Sequence, residues 1–297
     1  MPRIEIIVNA LGGSFIEGET EHSLERAFAD ARVDAKISLA RGGDELVELA
    51  QNSSADIIGA AGGDGTIGSI AAVALELDKP LAVVPLGTLN HFSKDIGIPQ
   101  DVEGMAKVIA AGHVARLDIG EVNGRIFLNN SSIGLYPHIV RRREKQQETL
   151  GRSKWRAALS AALGVLRRRP FFRVRMKLDG VERVHETPFV FIGNNEYAME
   201  LYNIGTRERL TDGKLSVYFV RRGGRWGAIR LLFHTLMGTL GKMREFEQLT
   251  VEELTIDMRH RSVLVAHDGE VDVMDTPLEY RIRPAALRVI VPAEASE

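Results

Sequence analysis

The sequence contains no cysteine, which excludes disulfide bonds, thiolate metal sites and cysteine nucleophiles. It also lacks any apolar run that approaches the roughly 18 residues of a membrane-spanning helix. The N-terminal segment MPRIEIIVNA has the pattern of a buried strand rather than the basic-then-apolar layout of a signal peptide. These absences together predict a cytoplasmic protein without a membrane span.

A strong net charge is also absent, because 38 Lys and Arg residues nearly balance 40 Asp and Glu residues. The two signs are unevenly distributed, and fourteen basic residues between Arg141 and Arg183 are opposed by only four acidic ones. Residues 155–166 within this basic segment have an amphipathic helical pattern, and residues 226–243 have a second. Such helices suit an anionic membrane surface, although both patterns are as typical of helices that cover a β domain with solvated basic rims. Because no nucleic-acid-binding module is recognisable, nucleic acid is not an expected partner.

Strands and helices alternate over the first third of the chain. Short apolar runs at residues 4–8, 36–39, 56–61 and 81–84 predict strands, and helical patterns lie between them. Such alternation is typical of a parallel sheet that is covered by helices on both faces. Residues 1–116 are therefore predicted to form an α/β domain.

Beyond Arg116 the pattern changes to strands that are joined by tight turns. Asn123-Gly124 and Asp179-Gly180 each separate two apolar runs, which is the strongest hairpin signal that a short sequence offers. Strands are predicted at residues 117–122, 125–130, 172–178, 181–185, 189–193, 215–220, 249–258, 263–266, 278–282 and 287–291. Residues 117–283 are therefore predicted to form a mainly antiparallel β domain.

Three glycines follow one predicted strand in Gly62-Gly63-Asp64-Gly65-Thr66, which we call the glycine loop (residues 62–66). Glycine lets backbone N–H groups approach phosphate oxygens, and the N-terminus of the following helix adds the positive end of its dipole. The spacing is neither that of a Walker loop nor that of a dinucleotide fingerprint. The alternative interpretation is a tight turn in which Asp64 or Thr66 caps the helix.

A second loop of similar composition, Pro85-Leu86-Gly87-Thr88-Leu89-Asn90, follows the next predicted strand. We call it the second loop (residues 85–90). Ligands of open α/β sheets bind at the carboxyl ends of the strands, so the two loops indicate one binding site at this edge. The hydroxyls of Thr66 and Thr88 and the backbone of residues 62–68 are the groups expected to hold a polyphosphate.

The two loops together resemble those of the diacylglycerol kinase catalytic domain, which sphingosine kinases, ceramide kinases and bacterial lipid kinases share. Further motifs extend the resemblance; they are Asn9 with Gly12-Gly13, Asn129-Asn130-Ser131-Ser132-Ile133-Gly134, Phe191-Ile192-Gly193-Asn194-Asn195, Asp212-Gly213 and His267-Asp268-Gly269-Glu270. The resemblance implies a phosphofructokinase-like α/β domain, a C-terminal β-sandwich and transfer of the γ-phosphate of ATP to a lipid hydroxyl, with diacylglycerol or a similar lipid as acceptor. It also implies that residues 284–297 return to the first domain. NAD kinases share the glycine loop alone, so a NAD kinase-like enzyme is the less favoured alternative.

The resemblance also implies which residues contact the nucleotide and the metal. ATP is expected to contact Asn9, Gly62, Gly63, Asp64, Gly65, Thr66, Ile67, Gly68, Gly87, Thr88 and Asn90. Asp64 is the natural carboxylate to meet Mg²⁺, because hard cations prefer oxygen ligands. Glu270 is the candidate general base, since Gly269 allows a turn that directs the carboxylate into the site. An ordinary Asp-Gly hairpin turn is the alternative interpretation of that segment.

Two further acidic residues match positions of the family. Asp118 aligns with an acidic position near the site and is expected to support the metal or the base. Asp212 resembles the ligand of a structural Mg²⁺ site, which the carbonyls of Arg209 and Lys214 would complete. A plain Asp-Gly turn is the alternative at Asp212.

One residue departs from the pattern of the family, because His91 stands where aspartate usually follows the asparagine of the second loop. A neutral imidazole cannot neutralise Mg²⁺ as a carboxylate does, and a protonated imidazole repels it. Asp95 lies four residues further on and would share a helical face with His91. A catalytically weak, lipid-binding regulatory protein therefore remains an alternative. The expected partners are ATP, a lipid substrate and the inner membrane surface, and a homodimer is left open.

Overall fold

A computed structural model describes most of the chain. The described residues are 2–134, 172–178, 180–197, 199–200, 203–204, 207, 209–220 and 246–293. The amphipathic helices predicted at residues 155–166 and 226–243 lie outside this part of the chain. The chain divides into two compact units, which are Met1–Ile119 with Leu210–Asp212 and Arg283–Glu297, and Gly120–Arg209 with Gly213–Ile282.

The first unit is built from parallel strands that alternate with helices. Its strands are β1 (Ile4–Asn9), β2 (Ala35–Ala40), β3 (Ile57–Gly62) and β4 (Leu81–Pro85), in the order β2–β1–β3–β4. Its helices are α1 (Glu19–Asp30), α2 (Gly43–Asn52), α3 (Asp64–Glu76), α4 (His91–Asp95) and α5 (Val102–Ala111). Strands β3 and β4 are buried along their whole length, as expected for strands with both faces covered. None of the helices in the described ranges combines the length and the hydropathy that a membrane span requires.

Glu5 is a buried carboxylate near the amino end of β1. It accepts hydrogen bonds from Lys36 Nζ at 2.6 Å, from Ser53 Oγ at 2.6 Å and from Ser38 Oγ at 2.7 Å. Burial alone raises the pKa of the Glu5 carboxyl, but these three donors outweigh burial and lower the pKa below its ordinary value. The cluster therefore ties β1 to β2 and to the segment after α2, at the sheet edge opposite the two glycine-containing loops.

The described strands of the second unit are antiparallel and form two larger sheets and one separate two-stranded sheet. The strands that follow α5 are β5 (Val114–Val122), β6 (Arg125–Phe127), β7 (Asn130–Gly134), β8 (Phe172–Leu178), β9 (Val181–Thr187), β10 (Phe189–Asn194), β11 (Met199–Glu200), β12 (Asn203–Ile204), β13 (Leu215–Val220), β14 (Phe246–Val251), β15 (Glu253–Met258), β16 (Ser262–His267), β17 (Glu270–Asp275) and β18 (Leu278–Ile290). One sheet has the order β14–β13–β10–β7–β16–β17. In the other, the first part of β18 pairs with β15, which pairs with β8, which pairs with β9.

Buried side chains from both sheets, among them Ile133, Val217 and Ile256, form one core, so the second unit is a β-sandwich. An α/β unit with a parallel sheet together with an antiparallel β-sandwich confirms the predicted fold class. The Asn123-Gly124 hairpin is also confirmed, because Val122 pairs with Arg125 and both turn residues have positive φ, at 46° and 82°.

Several strand predictions were wrong. Residues 249–258 form two strands rather than one, because the chain bends at Glu252 and passes from one sheet to the other. The two strands predicted at residues 278–282 and 287–291 are the single strand β18, which bends locally at Ala285 with φ of 50°. Strand β17 was not predicted, because its alternation of valine with aspartate resembles a polar turn region more than a strand.

Candidate functional site

The carboxyl ends of β1, β3 and β4 bring Asn9, the glycine loop and the second loop to one edge of the parallel sheet. The register pairs Gly62 with Pro85, and Leu86 N donates to Gly62 O at 3.0 Å. Asn9 Nδ2 donates to Thr66 Oγ1 at 2.9 Å, while Asn9 Oδ1 accepts from Leu11 N. Because the Thr66 oxygen accepts from Asn9, its own proton can be donated to a ligand. The predicted grouping of these residues is thus present in the first unit.

Glycine is required where the two loops meet. A Cβ atom added at Gly87 would lie 2.5 Å from Gly63 Cα and 2.6 Å from Asn90 Oδ1. A Cβ atom added at Gly62 would lie 2.6 Å from Thr66 Oγ1. No side chain except hydrogen fits at these positions without moving the backbone, so the main chains of the two loops lie against each other.

Helix α3 begins at Asp64, within the glycine loop, so Asp64, Gly65 and Thr66 form its first turn. Gly63 occupies the N-cap position, and within the described residues no side chain caps this helix. The first amides of a helix have no intrahelical acceptor, and they carry the positive end of the helix dipole. The start of α3 is consequently suited to bind an anion, and the glycine loop supplies the room for it.

The Asp64 carboxylate links the two loops. Oδ2 accepts from His91 N and Oδ1 accepts from Phe92 N, each at 3.2 Å, so Asp64 caps the N-terminus of α4. Asp64 therefore does not cap α3, as the turn interpretation of the glycine loop had it, but caps α4 instead. Asp64 is only half-buried, and each oxygen retains a lone pair with which it could meet a cation.

Asn90 ends the second loop with a buried side chain. It adopts the left-handed conformation at φ of 51°, and its Nδ2 donates to Gln100 Oε1 at 3.1 Å. Its Oδ1 has no hydrogen-bond partner among the described residues. Thr88 and His91 are exposed, and His91 stands one helical turn from Asp95 on α4.

Asp118 and Asp212 belong to neither of the two loops. Asp118 is buried, and its Oδ1 accepts from Ala285 N at 2.8 Å while its own N–H donates to Leu210 O at 2.9 Å. Asp212 is exposed, and Lys214 O accepts from Asn195 N at 3.0 Å. In the part of the chain that the structure describes, no three His, Cys, Asp or Glu side chains form a group that could hold a metal ion. A cation at Asp64, or at Asp212 with the carbonyls of Arg209 and Lys214, would therefore need oxygens from water or substrate as well.

Glu270 is the first residue of β17, directly after a two-residue turn at Asp268 and Gly269. Both turn residues have positive φ, at 46° and 91°, and they form a hairpin turn between β16 and β17. The Glu270 side chain is exposed. Partial desolvation raises the pKa of its carboxyl, which the charge of His267 opposes and the charges of Asp272 and Asp268 reinforce.

Asp268 is not exposed at the turn but is anchored to a distant segment. Its carboxylate accepts from Leu128 N at 2.6 Å, Asn129 N at 2.8 Å and Asn130 N at 3.1 Å. Desolvation raises the pKa of this carboxyl, although the three amide donors act in the opposite direction. The His267 side chain is buried, and its Nε2 lies 2.9 Å from Asp272 Oδ2. Neither anchor follows from a local pattern, because Asp268 meets residues 128–130 only in the folded chain and His267 meets Asp272 only when β16 pairs with β17.

A buried arginine holds the asparagine-rich segment in place. Arg207 Nη1 donates to Leu128 O at 2.6 Å and to Asn194 O at 3.2 Å, and Nη2 donates to Asn129 Oδ1 at 2.9 Å. The two asparagine motifs therefore serve to position the loop that binds Asp268. No local pattern around Arg207 indicates this contact.

Two family models match the chain. Residues 3–122 match the diacylglycerol kinase catalytic domain, and residues 132–291 match the YegS C-terminal NAD kinase beta sandwich-like domain. Proteins named diacylglycerol kinase in Staphylococcus aureus, strains JH9 and Newman, are 39% identical over 89 residues. That stretch covers 29% of this chain and 28% of those proteins, so the chain matches less than a third of their length.

Solved structures show a similar fold over almost the entire chain. A crystal structure described as a diacylglycerol kinase from Bacillus anthracis str. Sterne superposes with a TM-score of 0.71, at 22% identity, over 99% of this chain and 98% of that one. A second structure from the same organism gives a TM-score of 0.73 at 23% identity, with the same coverage. At this level of identity the likeness demonstrates the fold.

Proposed function

This chain belongs to the family that joins a diacylglycerol kinase catalytic domain to a YegS-type C-terminal β-sandwich, and we propose that it is an ATP-dependent lipid kinase. The proposed acceptor is a hydroxyl of diacylglycerol or of a related glycerolipid. One observation carries the proposal: the glycine loop and the second loop lie against each other beside the uncapped start of α3. Backbone amides in this arrangement are suited to grip a polyphosphate.

ATP is proposed to bind along this edge of the sheet. The first-turn amides of α3 donate to phosphate oxygens, and the Thr66 hydroxyl donates a further hydrogen bond while it accepts from Asn9. Asp64 would hold Mg²⁺ together with oxygens from phosphate and water, because this cation is usually bound by one or two carboxylates. When bound, Mg²⁺ neutralises the charge that develops on the transferred phosphoryl group.

Glu270 is proposed as the general base. The lipid hydroxyl oxygen bonds to the γ-phosphorus as the bond between that phosphorus and the β,γ-bridging oxygen breaks, ADP leaves, and the hydroxyl proton passes to Glu270. The exposed position of the carboxylate at the start of β17 supports this role. The raised pKa of Glu270 supports it further, because a base is most effective when its pKa approaches the working pH.

A membrane-embedded acceptor requires that the enzyme reach a bilayer, so we propose a cytoplasmic protein that binds the inner membrane surface peripherally. The excess of basic residues between Arg141 and Arg183 supports this location. A Lys or Arg near an anionic surface contributes about 1 kcal/mol to binding. Residues 141–171 of that segment lie outside the described part of the chain.

The test is transfer of radiolabelled phosphate from ATP to a panel of lipids in mixed micelles, with NAD as a separate acceptor. We expect Mg²⁺-dependent labelling of diacylglycerol or a related glycerolipid, and no labelling of NAD. Labelled NAD would establish the NAD kinase-like alternative instead. Vesicle binding without any transfer would favour the regulatory alternative, which the imidazole of His91 in place of a carboxylate makes worth testing.

A further inference from the structure

The hairpin that carries Glu270 contains a buried histidine that the proposed reaction does not use directly. His267, the last residue of β16, lies directly opposite Glu270 in the antiparallel register. Side chains of such opposed residues lie on the same face of the sheet, with Cβ atoms about 4.5–5.5 Å apart. The His267 imidazole is buried, while the neighbouring Glu270 side chain is exposed.

His267 is held on both sides. Its Nε2 lies 2.9 Å from Asp272 Oδ2, and Asp272 is two residues beyond Glu270 on the same face of β17. The other edge of β16 pairs with β7, where Ser131 lies opposite His267. The imidazole thus links β16 to β17 two residues beyond Glu270.

The turn between His267 and Glu270 is fixed independently. Asp268 accepts three backbone hydrogen bonds from residues 128–130, and its own N–H donates to Asn130 O at 3.0 Å. The hairpin end therefore cannot swing without breaking these bonds.

We propose that His267 is a positioning residue, which sits opposite Glu270 in the hairpin, holds β17 through its contact with Asp272 and places its charge beside the Glu270 carboxylate. The proposal rests on the proposed role of Glu270 as general base. The charged groups that act on Glu270 are Asp268 from the turn, Asp272 from its own strand, His267 from β16 and Arg125 from β6. Ser131 of β7, opposite His267, is uncharged.

The signs of these interactions give the expected pH dependence. The positive charges of His267 and Arg125 lower the pKa of Glu270, against the desolvation that raises it. Replacement of His267 by an uncharged residue must therefore raise the pKa of Glu270 and move the acidic limb of the rate profile to higher pH.

The experiment compares kcat and kcat/KM across pH for the full chain and its variants in the mixed-micelle assay. His267→Gln can keep a hydrogen bond to Asp272 and should retain kcat at high pH within about threefold, with the acidic limb shifted upward. His267→Ala removes the contact as well, and its kcat should fall about tenfold or more even at high pH, because a small misplacement of a catalytic group is costly. Arg125→Gln should shift the limb in the same direction as His267→Gln.

A purely structural role for His267 would change stability without moving the acidic limb. His185→Gln is the matched control, since His185 is a half-buried imidazole that packs on Phe219 in the same unit. Its acidic limb should match that of the unmodified chain. If the limb is unchanged in both His267 variants while Glu270→Gln is inactive, the positioning proposal is wrong and the base assignment stands.

Carbon-13 NMR titration of the Glu270 carboxyl separates the two proposals, because it needs no turnover. A higher titration midpoint in His267→Gln than in the unmodified chain would support the interaction even if no lipid were phosphorylated. An identical midpoint would overturn it. Full activity of Glu270→Gln would overturn the base assignment instead.

Discussion

Gly87 lies so close to Gly63 that a Cβ atom added at Gly87 would sit 2.5 Å from Gly63 Cα. Gly87→Ala must therefore push the second loop away from the glycine loop. Overpacking of this kind costs about 1–3 kcal/mol of folding free energy. The displaced amides should also lower kcat/KM for ATP about tenfold or more, as measured in the phosphate-transfer assay.

The control for this substitution is Gly43→Ala, because an added Cβ at Gly43 meets nothing within 4 Å. Gly43 is the first residue of α2, and its replacement should leave both stability and kcat/KM nearly unchanged. Normal nucleotide kinetics in Gly87→Ala would show that the contact between the loops does not shape the ATP site.

Asp64→Asn separates the capping role of Asp64 from its proposed role at the metal. Asparagine keeps one oxygen for the amides of His91 and Phe92 but loses the charge that attracts Mg²⁺. We expect transfer to fall by about 100-fold or more, since loss of a group that stabilises transition-state charge typically costs this much. The loss of stability should be at most about 1 kcal/mol, because asparagine is also a good cap.

Asp101→Asn provides the matched control. Asp101 caps α5 by accepting from Gly104 N at 2.7 Å, and it belongs to neither loop. Thermal unfolding should show similar small losses for both variants, while Asp101→Asn retains full transfer. Equal losses of activity in the two would mean that capping alone explains the effect at Asp64.

Features set by neighbouring residues could be predicted from the sequence. The two loops follow apolar strands and contain glycine, so their place at the carboxyl edge of a parallel sheet follows from local pattern and sheet geometry. The Asn123-Gly124 hairpin is fixed in the same way, because its two residues favour the backbone angles that the turn needs.

Features that join distant segments could not be predicted. Asp64 meets the N-terminus of α4, 27 and 28 residues further along the chain, and Asp268 meets Leu128 across 140 residues. A carboxylate looks the same in the sequence whether it caps a helix, binds a metal or anchors a turn. The role becomes visible only when the folded chain supplies the partner.

Glu5→Gln tests the carboxylate on the opposite edge of the sheet. The folded pKa of Glu5 is lowered, so its contribution to stability is present above the unfolded value of about 4.3 and is lost as the pH falls through the folded pKa. At pH 7 the free energy of unfolding of the variant should be about 1–3 kcal/mol lower than that of the unmodified chain, because a charge-assisted hydrogen-bond cluster is broken.

Urea unfolding at pH 7 and pH 3 measures the difference in free energy of unfolding between Glu5→Gln and the unmodified chain. This difference should be smaller at pH 3. Glu25→Gln is the control, since Glu25 is exposed on α1, and its stability should be that of the unmodified chain at both values. A constant difference between Glu5→Gln and the unmodified chain at both pH values would contradict the proposed ionic origin.

Replacement of Arg141, Arg142 and Arg143 by glutamine tests the membrane contact. Three charges that each contribute about 1 kcal/mol at an anionic surface should weaken vesicle binding about tenfold or more at low salt. The difference should shrink at high salt, because screening reduces surface electrostatics. Sedimentation with anionic vesicles measures it, and Lys107→Gln, on the exposed face of α5, should bind normally. Unchanged binding of the triple variant would assign this segment to solvent.

Glu270→Gln links catalysis to stability through the raised pKa of Glu270. A carboxyl whose pKa is higher in the folded than in the unfolded chain contributes most to the free energy of unfolding below the unfolded pKa. That contribution is lost as the pH rises through the folded pKa. Glutamine cannot ionise, so the variant should match the unmodified chain at low pH and exceed its Tm at pH 8. Transfer should nevertheless fall about 10²–10⁴-fold, because the group that accepts the proton is gone.

Glu279→Gln, at an exposed position of β18, should change neither the pH dependence of Tm nor the rate of transfer. A stable but inactive Glu270→Gln variant would show that this carboxylate is kept at the cost of folding free energy, as expected for a catalytic group and not for a structural one. A Glu270→Gln variant that becomes less stable as the pH rises would indicate the reverse: the ionised carboxylate would then stabilise the hairpin, and its loss of activity would follow from a disordered turn.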